Sequence, residues 1–260
     1  MAISSFYSLF YSTDVIFIKN STLYITSLLH NKYQSYIAEH VLNTISNSFL
    51  MIYRISTLNL SIFIDYLEIS CFVLFIACIS KSAQFIFHIW LPEAMEGPTP
   101  VSSLLHAATM VTLGIFIILR MSNIFAQVPS LSLYIMLIGA STIFVASVIN
   151  VLQTDLKKVV AYSTCSQLGY MFIGCGIGDY IDTIYQLFLH AFFKSMLFLS
   201  AGYLIYVCSS EQDIRKIGGL LKLVPLIYVI FFCGTISSIG YFSYGNAYSK
   251  EVLLELLGST

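Results

Sequence analysis

The chain is short of charge, of proline and of tryptophan. Only 10% of its 260 residues are Asp, Glu, Lys or Arg, and 58% are apolar, with a mean hydropathy of +0.85. A soluble globular domain carries about 25% charged residues and about 45–50% apolar ones, so this chain does not stay dissolved in water. The net charge of −1 and the lack of any Lys/Arg cluster exclude a broad basic face for nucleic acid. Six cysteines (Cys71, Cys78, Cys165, Cys175, Cys208, Cys233) lie in apolar stretches with no C-x-x-C spacing. They read as small buried hydrophobes rather than disulfides, zinc ligands or iron–sulfur ligands, and no cofactor is expected on this chain. The first 17 residues have no basic n-region and contain Asp14, so they resemble neither a secretory signal nor an Arg-rich transit peptide and are expected to be retained.

What is present is a series of apolar runs near the ~20 residues that cross hydrocarbon. They cover residues 101–119, 131–152, 159–178 and 181–208, with a shorter run at 223–239. The expected fold is all-α, a polytopic transmembrane helix bundle. Residues 1–60 are the least readable part, because short apolar stretches are broken by Lys32, Glu39 and Arg54; one or two helices are expected there, and one transmembrane domain over 61–260. The run from Tyr66 to Ser80 meets the polar knot Lys81-Ser82-Ala83-Gln84, resumes over 85–91 and stops at Pro92. That pattern predicts one interrupted helix, with Pro92, Pro98 and Pro100 ending it and starting the next. A second break is expected over 240–246, before the terminal run 247–257 with Lys250, Glu251 and Glu255. Backbone breaks at membrane depth survive only where they line a protein cavity, so two discontinuous helices, one with Lys81 and one with Lys250, point to a path built from paired repeats.

The charges inside apolar runs carry the chemistry. A lysine at the centre of a spanning helix costs about 2.5–3.5 kcal/mol on insertion scales and needs a partner or a hydrated cavity. Lys194 sits deep in the run 181–208, and steps of four give His190 and Gln186 on the same face. The same spacing places Lys81, Gln84 and His88 on one expected face, and Ser102, His106 and Thr109 on another. Histidine, with a reference pKa near 6.5, is suited to pass protons between buried lysines. The bland alternative is a snorkelling or hydrogen-bonded side chain near a helix end, which is the reading for His30, His40, Lys222 and Arg54. Asp155, Lys157 and Lys158 lie in the most charged connection of the chain, expected at an aqueous surface, where a lysine could form the mouth of a path.

Several blocks carry a resemblance. They are Lys81-Ser82-Ala83-Gln84-Phe85, His88-Ile89-Trp90-Leu91-Pro92, Ala94 to Ser102 and Leu105 to Val111, then Gln153 to Ser163, Ser166 to Met171, His190 to Lys194, Glu211 to Leu220, and Tyr248 to Glu251. In that order they resemble the antiporter-like chain 5 subunits of NADH:ubiquinone oxidoreductase, respiratory complex I. The resemblance implies an antiporter-like fold, here incomplete, and redox-driven proton translocation in the mitochondrial inner membrane, with electron transfer on other subunits. An A+T-rich gene, as in many mitochondrial genomes, fits the 20 Phe and 18 Tyr beside a single Trp.

The resemblance implies a proton path through Lys81, His88, His106, His190, Lys194 and Lys250, with Gln186, Glu251, Asp155 and Lys157 in support. Expected partners are lipid, protons and other membrane-arm subunits of complex I, including a companion chain with the missing helices and the glutamate that pairs with Lys81. Family members are much longer, and no counterpart of that glutamate is found in residues 1–60. Gln186 stands where many relatives carry a second histidine, and Tyr241 replaces a helix-breaking proline, leaving Gly240 and Gly245 to loosen the helix. The alternatives are the large subunit of a cation/proton antiporter and a structural relic subunit; Glu96-Gly97-Pro98 and the loop 211–220 favour complex I.

Overall fold

A computed structural model describes residues 66–240 and 246–259. The expected helices of residues 1–60, with His30, His40 and Arg54, and Tyr241 and Gly245 of the second expected break, lie outside the described residues. Among the described residues all regular structure is helical, and the one extended pairing is an isolated antiparallel bridge between Asp155 and Asp213. The helices are α1 (66–81), α2 (Trp90–Glu93), α3 (Thr99–Arg120), α4 (Ser122–Phe125), α5 (Pro129–Leu152), α6 (Leu156–Ile177), α7 (Tyr180–Val207), α8 (Leu220–Leu223), α9 (Pro225–Ile239) and α10 (Asn246–Ser259).

Helix length follows bilayer thickness. At 1.5 Å per residue α3, α5 and α7 run about 33, 36 and 42 Å, enough to cross ~30 Å of hydrocarbon, and all three are apolar enough to do so. Large apolar side chains are exposed down α5, among them Leu137, Phe144, Val148 and Val151, as lipid contact requires. By contrast α9, with 15 residues, spans only about 22 Å. It ends at Gly240, whose φ of 79° terminates the helix in the left-handed region.

The first interruption takes a form the hydrophobic pattern did not predict. Instead of a second helical run over 85–91, the chain leaves α1 at Lys81 and stays irregular until Trp90. Ala83 (φ 48°) and Ile86 (φ 82°) adopt left-handed backbone, which for a β-branched residue costs on the order of 1–3 kcal/mol. Hydrogen bonds from Gln84 N to Ile79 O (3.1 Å) and Phe87 N to Gln84 O (2.9 Å) hold this turn. Lys81, Gln84 and His88 therefore do not share a helical face: Lys81 is exposed, Gln84 buried and His88 half-buried.

A second correction falls in α3, where residues Ser102–Thr109 form a π-helix, closing on Leu105 O from Met110 N (2.9 Å). Hydrogen bonds that reach five residues back rotate side chains away from the four-residue face. Ser102 is buried, His106 half-buried and Thr109 exposed.

The chain forms two compact units. In the first, whose described residues are 66–76 and 121–131, Ser130 donates to Glu68, and Ile124, Phe125 and Val128 are buried. In the second, α6 is buried along most of its length and packs against α3, α7 and α10, while α7 packs against the π-helix, α6, α9 and α10. Helices α5 and α6 meet at Gly139 and Gly169; a Cβ on Gly139 would sit 2.8 Å from the Gly169 carbonyl, an approach that small residues alone allow. Asp179 accepts from Asp182 N (3.5 Å) and caps α7.

Candidate functional site

The site is a line of polar side chains inside the second unit. Gln186, His190 and Lys194 recur every four residues on α7, so one face carries all three, and each is 0% exposed. The Lys194 ammonium donates to Ser163 Oγ (2.7 Å) and to Val160 O (3.3 Å), both on α6. Its acceptors are neutral. Among the described residues, both ring nitrogens of His190 and both amide heteroatoms of Gln186 lack a hydrogen-bond partner. Such buried orphans are costly and mark positions that water or a proton carrier would satisfy.

Lys250 joins this line from α10. Its ammonium donates to Ser238 O (2.8 Å), one residue before the end of α9, and stands 5.6 Å from the centre of the Tyr170 ring. A cation against the C-terminal carbonyls of a helix meets the negative end of its dipole. Helix α10, which carries Lys250, packs against α7, which carries His190 and Lys194. Glu251, beside Lys250, is exposed and forms no ion pair among the described residues.

The remaining residues are distributed around the first break. Lys81 ends α1 and makes no ion pair with any described residue. His88 stacks on Phe85 at 6.5 Å, and His106 lies 6.0 Å from the Trp90 ring; each leaves Nδ1 without a partner among the described residues. Trp90 Nε1 donates to Ser80 O (3.2 Å), and Thr142 donates to Gln84 Oε1 (2.9 Å). A void with room for about one water molecule lies among Ala83, His88, Thr142 and Cys165.

Lys157 departs from expectation. Rather than a surface charge it is 6% exposed and donates to Gly97 O (3.1 Å), because the loop after Pro92 folds over the start of α6. Its neighbour Lys158 is a partly exposed partner of Asp155 (3.1 Å). The backbone of 154–156 pairs with 212–214, through Leu156 N to Gln212 O (3.0 Å) and Ile214 N to Thr154 O (2.9 Å). On that loop the Arg215 guanidinium hydrogen-bonds Asp213 and holds its carboxyl below the usual carboxylate range.

Sequence reasoning passed over Ser163, Gln167, Tyr170 and Ser238. The signal for the first three was present as steps of four and three on α6, but polar and aromatic residues at that spacing read equally well as ordinary packing. Ser238 contributes a backbone carbonyl, which no side-chain pattern reveals.

Bilayer-length helices around a buried Lys–His–Gln line define a polytopic membrane protein with a polar interior. The chain belongs to the NADH:quinone oxidoreductase/Mrp antiporter transmembrane family, whose model matches residues 1–259. It is 51% identical over 193 residues to NADH-ubiquinone oxidoreductase chain 5 of Arabidopsis thaliana, covering 74% of this chain and 29% of that one. To NADH-quinone oxidoreductase subunit L of Rickettsia bellii it is 50% identical over 192 residues, covering 74% and 30%. The chain thus spans about three-tenths of the length of these curated relatives. Among solved structures, the Mrp complex from Dietzia sp. DQ12-45-1b shares the fold with a TM-score of 0.68 at 32% identity, covering 74% of this chain and 22% of its own.

Proposed function

We propose that this chain is a proton-translocating segment of a respiratory complex I membrane arm, in the mitochondrial inner membrane. Electron transfer from NADH to ubiquinone, with its cofactors, would run on other subunits, and this chain would move the protons. The observation that carries the reading is Lys194, a fully buried ammonium held, among the described residues, only by neutral acceptors and in line with an imidazole that has no hydrogen-bond partner among them.

No ion pair among the described residues pins a proton on Lys194 Nζ, so a charge arriving nearby can displace it. His190, one turn away, can accept at one ring nitrogen while releasing from the other. Ser163 Oγ can accept and donate at the same atom. Lys81, His88 and His106 would serve the approach along the first break, and Lys250 the exit along the second; Asp155, Lys157 and Glu251 would support the ends. Gln186 can orient water through its amide donors and acceptor but has no titratable proton to pass on.

The decisive experiment replaces Lys194 with Met in the assembled enzyme and measures NADH-driven quinone reduction together with acidification of proteoliposomes. Expected is assembled enzyme whose pumping is lost. Full pumping by the variant would end this reading. A carboxylate facing Lys81 is proposed to come from a companion chain, to be sought by intact-complex mass spectrometry and crosslinking at Lys81. The likeness to the Mrp complex favours a second reading, the large subunit of a cation/proton antiporter. Copurification with sodium-transport partners rather than quinone-reductase subunits would select it.

A further inference from the structure

Helix α6 presents one polar face to the buried Lys194 and to the half-buried Lys250. Ser163 accepts from Lys194. Four residues on, Gln167 Nε2 donates to Ser238 O (3.4 Å), the same carbonyl that accepts from Lys250. Three residues further, the Tyr170 ring receives the Lys250 ammonium at 5.6 Å. The steps of four and three keep Ser163, Gln167 and Tyr170 on one side of the helix, over a rise of about 10.5 Å.

No carboxylate among the described residues pairs with Lys250, so its charge rests on a carbonyl and a ring face. The ring quadrupole attracts a cation most when the site is desolvated. Gln167 meanwhile holds the end of the short helix α9 against α6, which fixes where that carbonyl points. We propose that Tyr170 and Gln167 are positioning residues that seat the Lys250 ammonium beside the Lys194–His190 line, making the polar face of α6 the link between the two lysines.

This inference rests on the proton-translocating reading above, and the test separates the two. Tyr170→Met, Tyr170→Phe, Lys250→Met and the double variant Tyr170→Met/Lys250→Met are compared with Lys194→Met in the assembled enzyme, scoring protons moved per electron transferred. Tyr170→Met should lower that ratio by about 2- to 30-fold, the worth of a ring face to a cation from exposed to desolvated settings. Tyr170→Phe, which keeps the face and loses only the hydroxyl, should stay near the parent value. In the Lys250→Met background Tyr170→Met should add no further loss, which holds even where the single variant assembles poorly, because the comparison is made per assembled enzyme. Gln167→Leu, which removes the donor to Ser238 O, should lower the ratio. Unchanged coupling in Tyr170→Met, equal damage from Phe and Met, or additive losses in the double variant would each overturn the proposal. If Lys194→Met itself pumps normally, the parent reading fails instead.

Discussion

Lys194 of α7 donates to Ser163 of α6 across 2.7 Å, a buried charged donor on a neutral acceptor where the two helices face each other. A hydrogen bond to a charged group contributes about 1.5–3 kcal/mol. Ser163→Ala should therefore slow acidification by about tenfold or more while quinone reduction continues, and Ser163→Thr should restore most of it. Proteoliposome acidification normalised to electron flow measures this, and a parent-like rate for Ala would show that Val160 O suffices.

Gly114 lies where the end of α1 crosses α3. A Cβ there would meet Cys78 O at 2.5 Å, a backbone atom that cannot swing aside, as well as Ser82 Oγ. Gly114→Ala should destabilise the protein by about 1–3 kcal/mol, the range for overpacking, and lower the melting temperature in detergent. Gly258→Ala, with nothing near its Cβ, is the control and should melt as the parent does.

Lys157 and Lys158 are adjacent lysines with opposite surroundings. Replacing Lys157 with Met leaves the Gly97 carbonyl without its 3.1 Å donor and should cost about 1–3 kcal/mol. Lys158→Ala removes a partly exposed ion pair of a kind worth about 0–1 kcal/mol. Chemical denaturation of the two variants side by side should rank them in that order.

The loop 211–217 should respond to acid. Arg215 holds the Asp213 carboxyl below its ordinary range, so the favourable contribution is present above the unfolded value of ~3.9 and disappears as pH falls through the lower folded value. Pepsin cleavage within this loop should stay slow at mild acidity and accelerate below about pH 4. Asp213→Asn should show the loosened loop already at neutral pH, by hydrogen exchange at Ile214 N–H; equal protection in parent and variant would remove the side-chain pair as the cause.

The spans were legible because bilayer thickness imposes its length on any apolar run: the structural helices Pro129–Leu152 and Tyr180–Val207 lie within about two residues of the apolar runs. The Gln186–His190–Lys194 stripe was legible for the same reason a heptad is, since three residues at steps of four must share one side of a long helix. The first break was visible at Lys81, but its irregular course through Ala83 and Ile86 was not, because backbone of that kind is set by what packs around it. The faces read for His88 and His106 failed where the backbone left α-geometry.

Composition and periodicity thus settled that the chain lives in lipid as a helix bundle and that Lys194 and His190 share an inward face; a bilayer leaves few alternatives for such a pattern. Which atoms receive those side chains was the work of packing. Ser163 and the Tyr170 ring come from α6 and the Ser238 carbonyl from the backbone of α9, each a different helix from that of the lysine it meets, and the burial of Lys157 beneath the Gly97 loop depends on contacts 60 residues apart in the chain. Helical period constrains neighbours within one helix and carries no information about which turn of another helix will face them.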